Sequence, residues 1–527
     1  MKKRLSVLLA VLMLLTLALP AAAEGFPLTD EPVTFKMMGY KAGIQGNWDT
    51  LWFFKYMEEK TGVHFEFDTP AADAFEERKL LALNSGDYGD VFFGGNFSQE
   101  QIIKYGADEG MLIPLEELVE EHAPNIKAMF EAYPESKSAV TAPDGHIYTL
   151  PQISMGVKWA PTFWYNQRWL EALNLTEADL PDTVEGLHEL LLRFKNEDPN
   201  GNGEADEIAI SFMGDAAGGA GLGQVNSFIL PGFGILDIGI YFDQDGKVHY
   251  GMLDENYPAF AEYMKTLWNE GLIDPDMFNQ DQAAQTAKCK ANIVGLACQA
   301  IPQNIYDVND PEVAATYPIS PALKSAVSDK PLVPRSSTGV NRGTFAITDK
   351  CSDPVMMIKW VDYLYSEEGS WLVHYGPEGS IWEYADEEKN LCKYIQSDDG
   401  RSVEEVRGGD ITPDCGTALP KWVRDDTEYR WDDAFQQYRL NHCMAKLSDY
   451  AVLRQPDLFT TIEEQSRLDV LLVDIEKYTF NMESKMITGD ATEEEIAAIP
   501  DTLKQMGIEE MMEIYQAAYD RWAAAAK

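Results

Sequence analysis

The sequence predicts an α/β protein built from two lobes. The chain has 527 residues, of which 45% are hydrophobic and 24% charged. That composition is globular, and a single hydrophobic core stops growing beyond about 250–300 residues, so we expect two cores. After residue 30 short alternating strand patterns are separated by helical stripes, and a second set of such patterns begins after Pro151. Strands that alternate with helices are typical of parallel sheets joined by right-handed crossovers.

The first lobe opens with three predicted strands. Apolar residues alternate at 33–37 and 63–67, and a short buried run covers 90–93. Helical stripes around 51–57 and 80–83 connect them. Because the carboxyl ends of parallel strands meet at one edge, where open α/β sheets bind ligands, we expect the loops that follow these strands to face a site.

The second lobe begins with a predicted strand at 161–165 and has another at 208–210. Between them, apolar residues at positions i, i+3, i+4 and i+7 from Leu187 to Phe194 predict an amphipathic helix, for which Asp182 and Glu185 are placed as a capping pair. The end of the chain shows further helical stripes, the longest of which stops at Gly489.

The charge and the motifs exclude several function classes. The chain carries 42 Lys and Arg against 87 Asp and Glu, a net charge of −45, which repels phosphate backbones and argues against nucleic acid as a partner. None of the glycine-rich nucleotide loops, zinc-protease motifs or nucleophile elbows is present, and the seven histidines lie outside metal-ligand spacing. We therefore expect no enzyme. With 87 carboxylates, a secreted carbohydrate-active enzyme with an acid–base pair stays an alternative.

Residues 1–23 are predicted to be a signal peptide. Three basic residues precede an apolar run at 5–19, and the small residues Ala21–Ala23 form a cleavage site. The run is too short to span a bilayer core of about 30 Å. We therefore expect an exported protein, outside the membrane. No cysteine stands at the cleavage site, so we expect no lipid anchor, and pairing of the six cysteines further along is left open.

An acidic loop after the predicted helix has the opening of a calcium site. Oxygen-bearing side chains stand at alternating positions, and Gly203 allows the sharp turn at position 6. Ala209 replaces the bidentate Glu of position 12, so the shell would have to close earlier. The alternative is an Asn–Gly surface turn. The expected ligands are Asp198, Asn200, Asn202, the Glu204 carbonyl, Asp206 and Glu207.

The order and spacing of several segments resemble the extracellular solute-binding proteins of ABC transporters, of the large oligosaccharide-binding type. The similar segments are 81–87, 110–118, 124–126, 144–151, 165–170, 181–183, 195–207, 345–348, 359–369, 375–379 and 517–522. They extend over nearly the whole predicted mature chain. Many relatives carry a lipid-anchored cysteine where this chain has Ala23 and Glu24, whereas alginate-binding relatives carry calcium on a loop similar to 198–207.

The resemblance implies a type II periplasmic-binding-protein fold, in which two α/β lobes are joined by a hinge that the chain crosses more than once, with the ligand in the cleft. It implies a first lobe of 24–155 plus about 340–385, and a second of about 156–339 plus 386–527.

The function implied is reversible binding of a carbohydrate, an oligosaccharide in particular, for delivery to the permease of an ABC importer, by a monomer that closes around it. A peptide-binding member of the same fold is the alternative. Sugars offer apolar C–H faces for stacking and hydroxyls for planar hydrogen-bonding groups, so aromatic, Asn and Arg side chains suit them. The candidate ligand-binding residues are Trp48, Asn96, Phe97, Trp159, Trp164, Phe233, Arg342 and Trp382.

Overall fold

A computed structural model of the chain describes residues 25–213 and 222–526, so the predicted signal peptide lies outside the described residues. All six cysteines lie inside them, and none is disulfide-bonded. The strands are β1 (Val33–Met38), β2 (Val63–Asp68), β3 (Val91–Phe93), β4 (Leu150–Ser154), β5 (Phe163–Tyr165), β6 (Ile208–Ser211), β7 (Ile240–Phe242), β8 (Val248–Tyr250), β9 (Val294–Cys298), β10 (Val333–Pro334), β11 (Val340–Ile347), β12 (Trp382–Asp386), β13 (Leu391–Tyr394), β14 (Lys421–Val423) and β15 (Ala451–Val452).

Helices surround and connect these strands. Short 3₁₀ and π segments join several of them. The α-helices span Trp52–Thr61, Ala72–Ser85, Gln99–Ile102, Glu116–His122, Pro124–Ala132, Pro134–Val140, Gln167–Ala172, Val184–Asn196, Gly223–Phe228, Tyr257–Asn269, Gln282–Lys290, Pro311–Ala314, Pro354–Asp362, Glu367–Tyr375, Val403–Val406, Ala434–Tyr438, Ala445–Ser448, Ile462–Thr488, Glu493–Ala497, Ile499–Met506 and Ile508–Ala525.

The first sheet has six strands in the order β14-β4-β11-β3-β1-β2. The three strands predicted at the start of the chain are present, and β1 pairs in parallel with both β2 and β3. In contrast, β11 runs antiparallel to its neighbours β3 and β4. The edge strand β14 pairs with β4, so this sheet draws on residues beyond 385, the boundary that the sequence predicts for the first lobe.

The second sheet is smaller, with the order β5-β9-β6. The predicted amphipathic helix covers Val184–Asn196 and places Leu187, Leu191 and Phe194 in the largest core. Its cap differs from the predicted pair, because the Thr183 side chain accepts the Gly186 N–H at 3.0 Å. The long helix Ile462–Thr488 adds Leu468 and Ile475 to the same core, so the end of the chain completes the second lobe.

The chain passes between the two lobes several times. Residues 155–162 connect β4 with β5, residues 335–339 connect β10 with β11, and residues 424–433 lead from β14 to a helix whose Phe435 packs against the second-lobe residue Trp164. These three stretches are called the crossing segments below. A fourth contact comes from Phe459, which packs into a first-lobe cluster.

A buried group of charges fastens the stretch that precedes the third crossing. The side chains of Lys421 and Asp414 are 2% and 4% exposed and form an ion pair, and His374 contacts the same carboxylate. Arg407 donates to the carbonyls of Asp414 at 2.8 Å and His374 at 3.0 Å. Burial alone would raise the pKa of Asp414, but Lys421 and His374 outweigh it and hold that pKa below its ordinary range.

Lys421→Met is expected to lower the free energy of unfolding by about 3–5 kcal/mol, because it leaves a buried carboxylate without its main partner. Urea denaturation measures the loss. Replacing both partners, Lys421→Met with Asp414→Leu, is expected to recover most of it, since an apolar pair leaves no uncompensated charge.

The pH dependence follows from the direction of the shift. A carboxylate whose pKa is depressed in the folded state contributes stability above its unfolded pKa and loses it as pH falls through the folded value. The difference in the free energy of unfolding between wild type and Lys421→Met should therefore decrease as pH falls. If Lys421→Met were as stable as wild type, or if the difference in free energy of unfolding increased as pH falls, Lys421 would not be the partner that stabilises the Asp414 carboxylate.

Candidate functional site

A pocket of about 530 Å³ lies where the third crossing segment meets the second lobe. Three parts of the chain form it: Tyr375, residues 392–396 at the end of the β12–β13 hairpin, and residues 428–436. Aromatic rings, amides and carboxylates share its surface. The lining residues are Tyr375, Cys392, Lys393, Tyr394, Gln396, Glu428, Trp431, Asp432, Asp433 and Gln436.

An aromatic platform forms one wall of the pocket. The Tyr394 ring stacks on Trp431 with 4.0 Å between ring centroids and 12° between planes. Trp431 is 4% exposed, whereas Tyr394 is 44% exposed, so the stack rests on a buried indole and presents a tyrosine to solvent. The hairpin register places Tyr394 opposite Trp382, whose Nε1 donates to the Gly376 carbonyl at 3.1 Å. Strand pairing with Trp382 and stacking on Trp431 therefore fix the position of the Tyr394 ring.

Planar polar groups also line the pocket. Gln436 Nε2 donates to Glu428 Oε2 at 3.0 Å, and Asp433 caps the helix by accepting the Gln436 N–H at 2.7 Å. Burial raises the pKa of Glu428, and the nearby Arg439 and the Gln436 amide offset only part of that rise. A carboxylate, two amides and an aromatic face around one pocket can hold a polyhydroxylated ligand.

Three of the residues predicted to bind ligand are at least partly exposed, and none of the three lines the pocket. Trp159, on the first crossing segment, is half-buried under Arg439, whose guanidinium lies 4.2 Å from the ring centroid and whose Nε is buried without a hydrogen-bond partner. Asn96 is exposed in the loop after β3. Arg342 donates twice to the Leu458 carbonyl at 3.2 Å.

The other five predicted residues pack inside the protein. Each is at most 5% exposed, and Trp164, for example, donates its Nε1 to the Gln299 carbonyl at 2.8 Å within the second lobe. The structure does not bring them to the pocket. They are Trp48, Phe97, Trp164, Phe233 and Trp382.

None of the residues that line the pocket is among the eight predicted ligand-binding residues. Residues 428–433 mix Glu, Tyr, Arg, Trp and Asp, the side-chain types that sugar recognition requires, and that composition was a usable signal. The contribution of Tyr394 had no such signal, because it depends on the pairing of β12 with β13 and on the ring of Trp431.

The predicted calcium loop makes a tight turn in which its glycines adopt positive φ angles. Gly203 has φ 78°, and its N–H donates to Asp198 Oδ2 at 3.1 Å. The Asn202 amide donates to both carboxylate oxygens of Asp206 at 3.1 Å, and Asn200 Nδ2 donates to the same group at 2.9 Å. The loop therefore gathers its polar side chains around the Asp206 carboxylate.

Glu207 is the residue of this loop whose carboxyl group has a buried oxygen without a partner. Its Oε1 is buried without a hydrogen-bond partner, and burial, together with Asp206 and Asp198, raises the pKa of its carboxyl. Among the residues that the structure describes, no group of three or more His, Cys, Asp or Glu side chains is placed to hold a metal ion. A cation here would need the amide oxygens of Asn200 and Asn202 and the carbonyl of Glu204 as well.

One relative of this chain is a transport protein. A fructooligosaccharide ABC transporter substrate-binding protein, FusA of Streptococcus pneumoniae, is 28% identical over 488 residues, which cover 89% of this chain and 86% of FusA. The structure of FusA with kestose superposes with a TM-score of 0.69 at 25% identity, over 93% of this chain and 100% of that one.

A second solved structure shows the same fold. It is an HMO-binding, ABC-transporter-associated solute-binding protein of Bifidobacterium longum infantis, with a TM-score of 0.77 at 19% identity, over 94% of this chain and 99% of that one. The two-lobe α/β fold implied by the sequence is thus confirmed. No helix in the described ranges is long and apolar enough to cross a membrane. The family model for bacterial extracellular solute-binding proteins matches residues 28–371, well over half of the chain, and the protein belongs to that family.

Proposed function

We propose that the protein captures an oligosaccharide outside the cell for an ABC importer and binds it at the pocket between Tyr394 and Glu428. The observation that carries this is the exposed Tyr394 ring, which stacks on buried Trp431 and lines the same pocket as amide and carboxylate groups. FusA, named for fructooligosaccharides and solved with kestose, supports the same ligand class. The family supports an exported protein whose transport partner is an ABC permease, and the mature protein is proposed to act as a monomer without a lipid anchor.

Closure of the lobes around the ligand would complete the contacts that stabilise the complex. The pocket lies beside a crossing segment, so a change of lobe angle alters the distance between its walls. A ligand shifts an open–closed equilibrium only by its differential affinity for the two states. Ring stacking and hydrogen bonds that the sugar makes with both walls only in the closed state would supply that difference. No chemistry on the ligand is required.

A ligand screen tests the proposal directly. Calorimetry with neutral oligosaccharides, kestose among them, is expected to show saturable binding, and small-angle scattering is expected to show compaction. Binding of peptides with no response to any saccharide would overturn it in favour of the peptide-binding alternative. Hydrolysis of a bound saccharide that disappears in Glu428→Gln would identify the protein as an enzyme instead.

Tyr394→Ala is expected to weaken saccharide binding by about tenfold, equivalent to about 1.4 kcal/mol, because it removes the ring on which the sugar stacks. Since Tyr394 is 44% exposed, the melting temperature should change little. Tyr450→Ala is the matched control, as Tyr450 is 40% exposed and does not line the pocket. Equal affinities of the two variants would exclude Tyr394 from the binding surface.

Glu428 is expected to make binding pH-dependent. Its raised pKa means that the carboxylate protonates above the ordinary Glu range as pH falls, and the neutral form is a weaker acceptor for sugar hydroxyls. Affinity should therefore begin to decrease at a pH above the ordinary Glu range as the solution is acidified. Glu428→Gln should bind about tenfold more weakly at neutral pH and show no such dependence. Glu388→Gln, a change at an exposed position, should show the same affinity and pH dependence as wild type. If the affinity of Glu428→Gln varied with pH as that of wild type does, the assignment would be wrong.

We also propose that calcium binds the loop at residues 198–207. The unpartnered oxygen of Glu207 and the raised pKa caused by its burial and its acidic neighbours support a cation here. Calcium takes six to eight oxygen ligands, so the two Asn amides would turn their oxygens toward it and the Glu204 carbonyl would join. The loop connects the helix Val184–Asn196 with β6, which gives the ion a structural role.

Chelation is expected to lower the melting temperature of wild type, since a ligand at about 100 times its dissociation constant adds about 2.7 kcal/mol of stability. The double variant Asp198→Ala with Asp206→Ala should lose this sensitivity and retain saccharide binding. Asp245→Ala, in another exposed acidic turn, should keep it. Because protons compete for Glu207, whose pKa is raised, the effect should shrink as pH falls. Metal analysis that finds no calcium, with melting indifferent to chelator, would reduce the loop to a surface turn.

A further inference from the structure

The proposed saccharide pocket carries a net negative charge. Three of its lining residues are acidic, Glu428, Asp432 and Asp433, and the one basic residue among them is Lys393. This lysine is already paired, since its Nζ lies 3.0 Å from Glu383 Oε1 on the neighbouring strand β12. The ammonium group therefore offsets a carboxylate outside the pocket, and the acidic lining residues are left without a cation of their own.

Two of these carboxylates accept hydrogen bonds from the same glutamine. Gln436 Nε2 donates to Glu428 at 3.0 Å, and the Gln436 N–H donates to Asp433 at 2.7 Å. Arg439 also acts on Glu428, but it offsets only part of the pKa rise that burial causes there. With Arg439 and Glu383 included, the groups at the pocket are four carboxylates and two cations.

Asp432 is the carboxylate that the protein leaves uncompensated. Its N–H donates to the Cys392 carbonyl at 2.8 Å, which holds the backbone beside strand β13. The residue is exposed, and its carboxylate makes no hydrogen bond or ion pair with any residue of the described ranges. Lys389 is within electrostatic range but pairs with Asp386 at 2.6 Å. The charge of Asp432 is therefore available to act on a ligand in the pocket.

The Tyr394 hydroxyl is subject to the same charges. Partial burial raises its pKa to about 12, and the carboxylates of Glu428 and Asp433 act in the same direction. Glu404 and Arg407 also act on this hydroxyl, in opposite directions, and they form an ion pair with each other. The ring on which a sugar would stack therefore lies in a negative environment.

We propose that this pocket selects saccharides by charge, admitting neutral and amino sugars and rejecting uronic acids and other anionic sugars. The inference rests on the proposed saccharide site and names the ligand class within it. A sugar carboxylate would lie among like charges, and no unpaired cation among the lining residues is available to it. A protonated amine gains the opposite interaction and can lie over the face of the Tyr394 ring.

Matched derivatives of one saccharide isolate the effect of charge. Kestose is oxidised at a primary hydroxyl to the carboxylic acid, which is then converted to the neutral amide or, with ethylenediamine, to an amide that carries an ammonium group. Calorimetry on the purified mature protein at low ionic strength is expected to show the acid binding at least about tenfold more weakly than the neutral amide, and the ammonium derivative about threefold more tightly. Both differences should shrink as salt is added, because salt screens exposed charges.

Equal affinities of the acid and the neutral amide, or a difference that salt does not change, would overturn selection by charge. If kestose does not bind, the same three derivatives are made from the neutral saccharide that binds most tightly in the ligand screen. A protein that binds neutral saccharides without regard to charge contradicts this inference alone, whereas a protein that binds no saccharide contradicts the proposed function as well.

Variants assign the selection to Asp432. Asp432→Asn should reduce the difference between the acid and the neutral amide by about threefold, and Asp432→Lys should reverse the preference. Asp449→Asn is the matched control, because Asp449 is exposed and does not line the pocket, and it should discriminate as wild type does. If both Asp432 variants discriminated against the acid as strongly as wild type, the assignment to Asp432 would be wrong. Melting curves on the same samples show whether each variant is folded.

Discussion

Strand β11 sets the geometry on which both lobes depend. It arrives from the second crossing segment, runs antiparallel between β4 and β3, and shifts register between Asn341 and Phe345. Gly343 lies in this irregularity with φ 75°, and a Cβ there would stand 2.3 Å from the Phe97 carbonyl oxygen. Only glycine allows both the positive φ and the close approach, because other residues pay a steric penalty there.

The irregularity has consequences on both sides of the sheet. Beyond it, Thr344 to Ile347 are buried and complete the first core, whereas before it the chain is exposed at Asn341. Arg342 is turned toward the Leu458 carbonyl, and its guanidinium lies over the Phe459 ring at 4.4 Å. The same few residues thus close the first sheet and fasten the stretch that returns to the long helix of the second lobe.

Sequence patterns predicted the first strands and helices of this fold, whereas none of the eight predicted ligand-binding residues lines the pocket at Tyr394. The first three strands and the helix around Leu187 follow from local periodicity, which reports only which face of an element is buried. Trp48 and Tyr394 show the limit of such reasoning. Both are aromatic, Trp48 in the segment after β1 and Tyr394 at the end of β13, but Trp48 packs against Phe54 and Phe93, whereas Tyr394 lines a pocket. Their difference arises from contacts made by distant residues, which local sequence does not encode.

The few cations buried in this acidic protein lie where segments must be held in place. Lys79 is fully buried, and its Nζ donates to the carbonyls of Gly95 at 3.2 Å and Asn96 at 3.0 Å. Burial lowers the pKa of Lys79, although its pairing with Glu76 opposes the change. One ammonium can therefore satisfy carbonyls that strand pairing leaves free at the end of β3.

Lys421 pairs with the buried Asp414 carboxylate just before the third crossing. The partly buried Arg342 donates to the Leu458 carbonyl near Phe459. The chain has 87 acidic and 42 basic residues, so carboxylate partners for a buried cation are plentiful. Since a buried charge is tolerated only with close partners, each of these contacts restrains its segment strongly. The loops and crossings around the lobes are thereby positioned by charge, while the lobes themselves are held by apolar packing.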